Sequence, residues 1–180
     1  MIASTVGTLR ILTEIGVVAP AFLQFAGPPI LIMLALLAIL SAGVWFAGSK
    51  KERVEMPPQQ NPSELKSALF FGLLYAVVLL AVAAGRNHSG SGGLYIIAAL
   101  SGLTDMDAIS LSTARLVATG RVDADNGWRL ILAGFLANMV FKGGLITLLG
   151  HRRLFARIAP LYAITLAVGA LLLWLWPGAR

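Results

Sequence analysis

The chain has 180 residues, of which 58% are hydrophobic and only 12% are charged. Soluble domains are about half apolar and a quarter charged, so this composition favours an integral membrane protein, whose apolar surface a bilayer can cover. The absence of cysteine excludes disulfides and thiolate sites. The net charge is +6, but the Lys and Arg residues lie mostly at segment ends, where they anchor helices, so nucleic acid is a poor candidate partner.

Six stretches of the chain are long and apolar enough, or nearly so, to cross a bilayer, which takes about 20 helical residues. None alternates with the period of a strand, so the predicted class is all-α, a polytopic transmembrane helix bundle of about six apolar segments. The lipid bilayer is then the first expected partner. In chain order the segments occupy residues 2–25, 29–47, 65–84, 94–118, 128–149 and 155–176.

One charged linker divides these segments into two groups. Residues 1–48 are predicted to form a two-helix unit, residues 49–61 a cytoplasmic linker, and residues 62–180 a four-segment membrane unit. Asn61 as N-cap and Pro62 as first helical residue predict a helix directly after the linker. The other basic residues are spread between loops, so absolute orientation and a dual topology stay open.

A weak internal repeat relates the two ends of the chain. Residues 3–13 align without gaps on residues 137–147, with three identities and two exchanges between Ile and Leu. The first unit therefore resembles the end of a preceding repeat. Inverted repeats of this kind are known in transporters.

Two acids, Asp105 and Asp107, lie near the middle of the fourth segment. A charged side chain at the centre of a membrane helix costs about 2.5–3.5 kcal/mol, so two of them favour a polar functional site. In a regular helix, positions two apart point about 200° away from each other, and both acids could not face one polar interior. We therefore predict a broken or re-entrant helix at residues 102–107, with free backbone groups beside the carboxylates.

A purely structural interpretation of these residues stays open. Thr104 could be a helix N-cap with Asp107 as its partner three residues on, which explains one acid but not Asp105.

Another acidic run, at residues 123–127, lacks the Glu that a calcium loop requires at its twelfth position. That run is predicted to be a turn and a helix start.

Segment five offers partners for the two acids. Gly134, Asn138 and Lys142 recur every four residues and share one helix face. Gly134 allows close helix approach, and Asn138 is either a polar site contact or simple interhelical glue. Lys142 either neutralises one of the acids or snorkels to an interface.

A secondary polar path starts on segment one, where Arg10 and Glu14 are one helical turn apart. They either pair with each other or extend the polar path, together with Ser110. Ser101 and Thr104 are further candidate contacts for a cation or water. Bonding to the helix backbone is the alternative for hydroxyl side chains of this kind.

Two motifs carry a resemblance to a known family: NPSELKSAL at residues 61–69 and GLYIIAALSGLTDMDAIS at residues 93–110. With Asn138, Lys142 and the HRRL turn at residues 151–154, they make the chain similar to the domain of unknown function 4010, the C-terminal membrane domain of bacterial MgtC/SapB-like proteins. The resemblance spans nearly the whole chain and implies a multi-pass protein of the bacterial inner membrane. It implies no settled activity, and the association of the MgtC name with magnesium only makes cations a natural candidate.

The family domain usually has further helices before the first segment, including an earlier counterpart of residues 102–107. This chain is thus expected to be a short natural form or a fragment. A homodimer could restore what a second half supplies, so a homo-oligomer is the expected assembly.

The leading hypothesis is a transporter or channel for a small ion, with a cation favoured. Asp105 and Asp107 would form the ion or metal site, Asn138 and Lys142 would line or gate it, and no other cofactor is expected. An anion site at a half-helix N-terminus is a variant. The alternative is a non-transporting assembly or regulatory subunit in which the polar residues only fix helix packing. An enzyme is not expected, because the segments hold no convincing nucleophile–base pair.

Overall fold

The computed structural model describes residues 2–48, 73, 91–149 and 152–177. Every regular element in these ranges is an α-helix, which confirms the all-α prediction. The predicted linker, the helix start after it and most of the third segment lie outside the described residues. The helices are α1 (Ile2–Val18), α2 (Pro20–Gly48), α3 (Ser91–Thr104), α4 (Met106–Ala118), α5 (Ala124–Leu149) and α6 (Arg152–Leu175).

The first helix boundary differs from the predicted one. We expected segment one to continue to residue 25, but α1 ends at Val18 and α2 begins at Pro20. A proline disfavours helical backbone in the residue before it and is well placed at the first helical position, so the break falls at Ala19. Pro28 and Pro29, near which the boundary was predicted, lie inside α2 instead.

Three helices of the described ranges are long and apolar enough to cross a membrane: Pro20–Phe46, Ala124–Thr147 and Phe155–Leu175. Together with the exposed apolar side chains of α2 and α6, they mark a membrane protein. The fourth predicted segment is divided into α3, of 14 residues, and α4, of 13. At about 1.5 Å per residue, each is shorter than the hydrocarbon core of a bilayer.

Helix α5 is the centre of the bundle and packs against α2, α3, α4 and α6. Its buried apolar side chains recur at three- and four-residue intervals, as expected for a helix that buries one broad face. They pack against the buried side chains of α1 and α2, among which Ile15 and Leu37 are fully enclosed. The α5 side chains of this core are Trp128, Ile131, Leu132, Phe135 and Met139.

Helices α3 and α5 are in direct contact at two glycines. A Cβ atom built on Gly102 would lie 2.6 Å from the Cα of Gly134, a distance that real side chains do not reach. Because neither residue has a side chain, the two backbones touch directly. This contact places the end of α3 against the middle of α5.

The turn before α5 confirms the predicted helix start at residues 123–127. The Asn126 N–H donates to Asp123 Oδ1 at 2.8 Å, so Asp123 is the N-cap of α5. The side chain of Asn126 bonds the other carboxylate oxygen at 2.7 Å. These hydrogen bonds from Asn126 hold the pKa of Asp123 below its usual value.

Candidate functional site

The fourth segment is broken at Asp105. Helix α3 ends at Thr104, Asp105 has extended backbone with φ −146° and ψ 106°, and α4 begins at Met106. The predicted break at residues 102–107 is therefore confirmed and located at one residue. The helical hydrogen-bond pattern of α3 extends to the Asp105 N–H, which donates to the carbonyl of Ser101 at 2.9 Å.

Asp105 is the N-cap of α4. Its Oδ1 accepts from the backbone N–H of Asp107 at 2.9 Å and of Ala108 at 3.2 Å. The interpretation in which Thr104 is the cap is wrong, because the carboxylate of Asp105 occupies the helix N-terminus. A carboxylate is well suited there, since it accepts from unpaired N–H groups and favours the positive end of the helix dipole.

Asp107 is paired with Arg10 of α1. Arg10 Nη2 lies 2.7 Å from Asp107 Oδ2, and Arg10 Nε lies 3.2 Å from Glu14 Oε1. Both open alternatives for Arg10 and Glu14 therefore hold, because they pair with each other and also extend to Asp107. Neutralisation of an acid was one of the two alternatives for Lys142, but the ion pair that the structure places on Asp107 comes from Arg10.

Ser110 connects Glu14 to α4. Its Oγ donates to Glu14 Oε2 and lies 3.1 Å from the carbonyl oxygen of Asp107. Ser110 is fully buried and the Glu14 side chain is only 13% exposed, so this carboxylate is bonded on both of its oxygens. A buried carboxylate requires such partners, and these bonds hold α1 against the first turn of α4.

Asn138 binds the other side of the break. Its Nδ2 donates to the carbonyl of Gly102 at 2.7 Å, and the carbonyl of Leu103 lies 3.4 Å away. These carbonyls belong to the last turn of α3, where the break removes their partners within the helix. Asn138 thus satisfies the end of α3 in the way that Asp105 satisfies the start of α4.

A cavity of about 300 Å³ lies between α1, the break and α5. Because Asp105 is extended, the two acids are no longer on opposite faces of one helix, and both line this cavity. Ser101, Glu14 and Ser110 are not among its lining residues, and the side chain of Thr104 lies outside what the structure describes. Of the predicted site residues, the cavity brings together Asp105, Asp107, Asn138, Lys142 and Arg10.

Two site residues were missed by the sequence analysis, Ser4 and Thr8. Both line the cavity, and they are 5% and 2% exposed. Thr8 Oγ1 donates to the carbonyl of Ser4 at 2.8 Å. Their spacing of four residues, continued by Ile11 and Ile15 on the buried face of α1, is the helical signal that could have identified them.

The chemistry of the cavity is that of a mixed ionic site. Two carboxylates face it, together with the guanidinium of Arg10 and the ammonium of Lys142. Lys142 is half-buried and has no ion pair within the described residues. No group of three or more metal-ligating side chains occurs in that part of the chain, so the metal role of Asp105 and Asp107 stays a prediction.

The comparisons with known proteins agree with the motifs. An uncharacterized protein of Aquifex aeolicus (strain VF5) is 32% identical over 121 residues, which cover 67% of this chain and 53% of that protein. The chain therefore spans about half the length of this relative. No solved structure matches the chain. The family described as "Domain of unknown function (DUF4010)" matches residues 1–150, which confirms the resemblance at the level of the family. The chain belongs to the DUF4010 family.

Proposed function

We propose that the protein carries a small cation across the membrane through the cavity at the broken helix. Asp105 and Asp107 are the ligands of the ion, and Asn138 and Lys142 line its path. One observation carries the proposal: two carboxylates share a polar cavity against α5, a helix long and apolar enough to span a membrane. Membrane helices hold charged side chains where they face a cavity or a partner, and such residues mark ion pathways.

The break itself supports the proposal. Irregular backbone within a membrane protein is found where protein buries it or where it lines a water-filled cavity. The irregular backbone at Asp105 belongs to a residue that lines the cavity, and half-helices of this kind hold ions in known transporters. The Oδ1 of Asp105 caps α4, which leaves Oδ2 for an ion without loss of the cap.

Arg10 supplies the proposed gate. It uses Nη2 for Asp107 and Nε for Glu14, so the guanidinium can release Asp107 while Glu14 still holds it. A cation that enters the cavity competes with Arg10 for Asp107. The sequence predicted that Asn138 and Lys142 line or gate the path. The proposed gate is instead Arg10, and Lys142 is a fixed charge on the α5 wall.

A second function is favoured by a different observation, namely that each acid of the site already has a protein partner. In this alternative the chain is a non-transporting assembly or regulatory subunit. The ion pair of Arg10 and the hydrogen bonds of Asn138 then only fix the packing of α1, α3, α4 and α5. Interhelical polar bonds of this kind contribute about 0.6–2 kcal/mol each.

Ion flux into liposomes that contain the purified protein distinguishes the two functions. Asp105→Asn and Asp107→Asn are expected to lower cation flux at least about tenfold at an unchanged melting temperature. Asp125→Asn is the matched control, because Asp125 pairs with Arg129 on α5 and does not line the cavity. Wild-type flux in both cavity variants, with a folded protein, would show that the carboxylates only fix packing.

The wider setting of the protein is also part of this proposal. The resemblance to MgtC/SapB-like proteins supports a multi-pass chain in the bacterial inner membrane and a homodimer as its assembly. The proposal assigns no catalytic activity to the protein. Cross-linking in native membranes tests the dimer, and a monomer at every protein concentration would contradict it.

A further inference from the structure

We infer that the ion carried is a monovalent cation, because the charged side chains that line the cavity, counted together with Glu14 behind Arg10, sum to one negative charge. This inference rests on the proposed function and adds the valence of its ion. It follows from the side chains that line the cavity and from the network that extends behind Arg10.

The charges of the site come from three helices and the break between two of them. Arg10 on α1 and Lys142 on α5 are basic, while Asp105 and Asp107 at the break are acidic, and all four line the cavity. Glu14 is the fifth charge, since it binds Arg10 directly from the same helix. The two basic and three acidic groups of this set, all of them described residues, sum to one negative charge.

Other charged residues of the described ranges belong elsewhere. Asp125 and Arg129 pair with each other in the first turns of α5, and Arg115 is exposed in the last turn of α4. Asp123 caps α5 in the preceding turn. Arg121, in the turn after α4, and Arg157, in α6, are exposed. None of these six residues lines the cavity.

The remaining negative charge selects the valence of the occupant. The occupant lies within one cavity with these side chains, a distance at which solvent screens their attraction only in part, so an occupant that neutralises the site is favoured. One monovalent cation makes the site neutral, whereas a divalent cation leaves a positive charge and an anion leaves two negative ones. Ligand number does not decide the question, because one or two carboxylates can also hold hydrated Mg²⁺.

The size of the cavity is compatible with an ion that keeps part of its water. Water occupies about 30 Å³ per molecule in the liquid, and the cavity measures about 300 Å³. Ser4, Thr8 and Asn138 add neutral polar groups to its wall. The charges of Arg10 and Lys142 therefore set the valence, while water and the carboxylates solvate the ion.

The test measures K⁺ and Mg²⁺ flux into liposomes with dyes specific for each ion. The wild-type protein is expected to carry K⁺ at least about tenfold faster than Mg²⁺. Arg10→Gln and Lys142→Gln each leave two negative charges, so both are expected to raise the ratio of Mg²⁺ to K⁺ flux at least about tenfold. The two variants lie on different helices, so that misfolding of one does not end the test.

Two further variants complete the design. Glu14→Gln makes the empty site neutral and is expected to slow K⁺ flux without admitting Mg²⁺. Arg115→Gln removes an exposed positive charge away from the cavity and is expected to keep the wild-type ratio. A ratio changed equally by Arg115→Gln would trace the effect to overall charge and overturn the inference.

The outcomes separate the inference from the function on which it rests. Wild-type Mg²⁺ flux equal to K⁺ flux, or unchanged ratios in both Arg10→Gln and Lys142→Gln, would overturn monovalent selection and leave cation transport intact. Absence of flux of either ion from the folded wild-type protein and from every variant would overturn the proposed function itself.

Discussion

The side-chain amide of Asn138 donates to the carbonyl of Gly102 at 2.7 Å, and this bond joins the central helix to the end of a broken one. It replaces an intrahelical bond that the break removes. Asn138 lies one helical turn from Lys142. The residue that stabilises the break and a basic residue that lines the cavity therefore share one face of α5.

Replacement of Asn138 tests the value of this bond. Asn138→Leu leaves the carbonyls of Gly102 and Leu103 without their donor, and we expect a loss of about 0.6–2 kcal/mol in unfolding free energy. Reversible unfolding in detergent measures it. Thr147→Ala is the control, since Thr147 is exposed on the same helix and bonds only its own backbone. An equal loss in both variants would contradict the prediction.

Replacement of glycine tests the contact between α3 and α5. Gly102→Ala drives a methyl group into the backbone of Gly134, and overpacking of this kind costs about 1–3 kcal/mol. Gly144→Ala is the matched control, because a Cβ there meets nothing within 4 Å and alanine is the better helix former. Melting temperatures should fall for the first variant and hold or rise for the second. Equal behaviour would show that the helices are not in contact at Gly102.

Two substitutions of Asp105 separate its cap from its charge. Asp105→Asn keeps an N-cap residue, whereas Asp105→Ala removes it and is expected to cost about 0.5–2 kcal/mol. Under the proposed function both variants lose ion flux, but only the alanine variant loses thermal stability. If the alanine and asparagine variants have the same melting temperature, well below that of the wild type, the carboxylate charge contributes more to stability than the cap does.

The pair of Arg10 and Asp107 should couple weakly in detergent. The Arg10 side chain is 63% exposed and that of Asp107 is 31% exposed, so solvent screens the pair. A double-mutant cycle with Arg10→Gln and Asp107→Asn is expected to give about 0.2–1 kcal/mol of coupling, which falls as salt is added. The cycle of Arg10→Gln with Asp125→Asn should be additive. Coupling of equal size in both cycles would argue against the direct ion pair.

Low pH should destabilise the N-terminus of α5, because its N-cap Asp123 becomes protonated. Hydrogen bonds from Asn126 lower the folded-state pKa of Asp123 below the reference value of 3.8. Its contribution to stability is therefore complete above that value and is lost as the pH falls through the folded-state pKa. Asp123→Asn should remove this dependence and keep the cap. Melting temperatures of the two proteins across the acid range test it, and parallel curves would exclude Asp123 as the titrating group.

Local chemistry explains why so much of the fold was predictable. The apolar runs predict helices for a membrane, and Asp105 favours a helix start because a short carboxylate caps free N–H groups. The predicted boundary between residues 25 and 29 was wrong, because α2 begins at Pro20 and continues through Pro28 and Pro29. Inside a membrane helix, neighbouring groups can compensate for the bond that a proline removes, whereas Pro20 stands at a helix start, where no bond is lost.

The sequence by itself determined the class of the protein, the broken segment and the face of α5 that carries Asn138 and Lys142, because hydropathy and helical spacing are properties of neighbouring residues. Only the tertiary structure decided that Arg10, and not Lys142, pairs with Asp107, and that Ser4 and Thr8 complete the cavity. The physical reason is that an ion pair between distant segments depends on how helices rotate and approach. Packing at Gly102 and in the core of α5 sets that arrangement, and no local pattern encodes it.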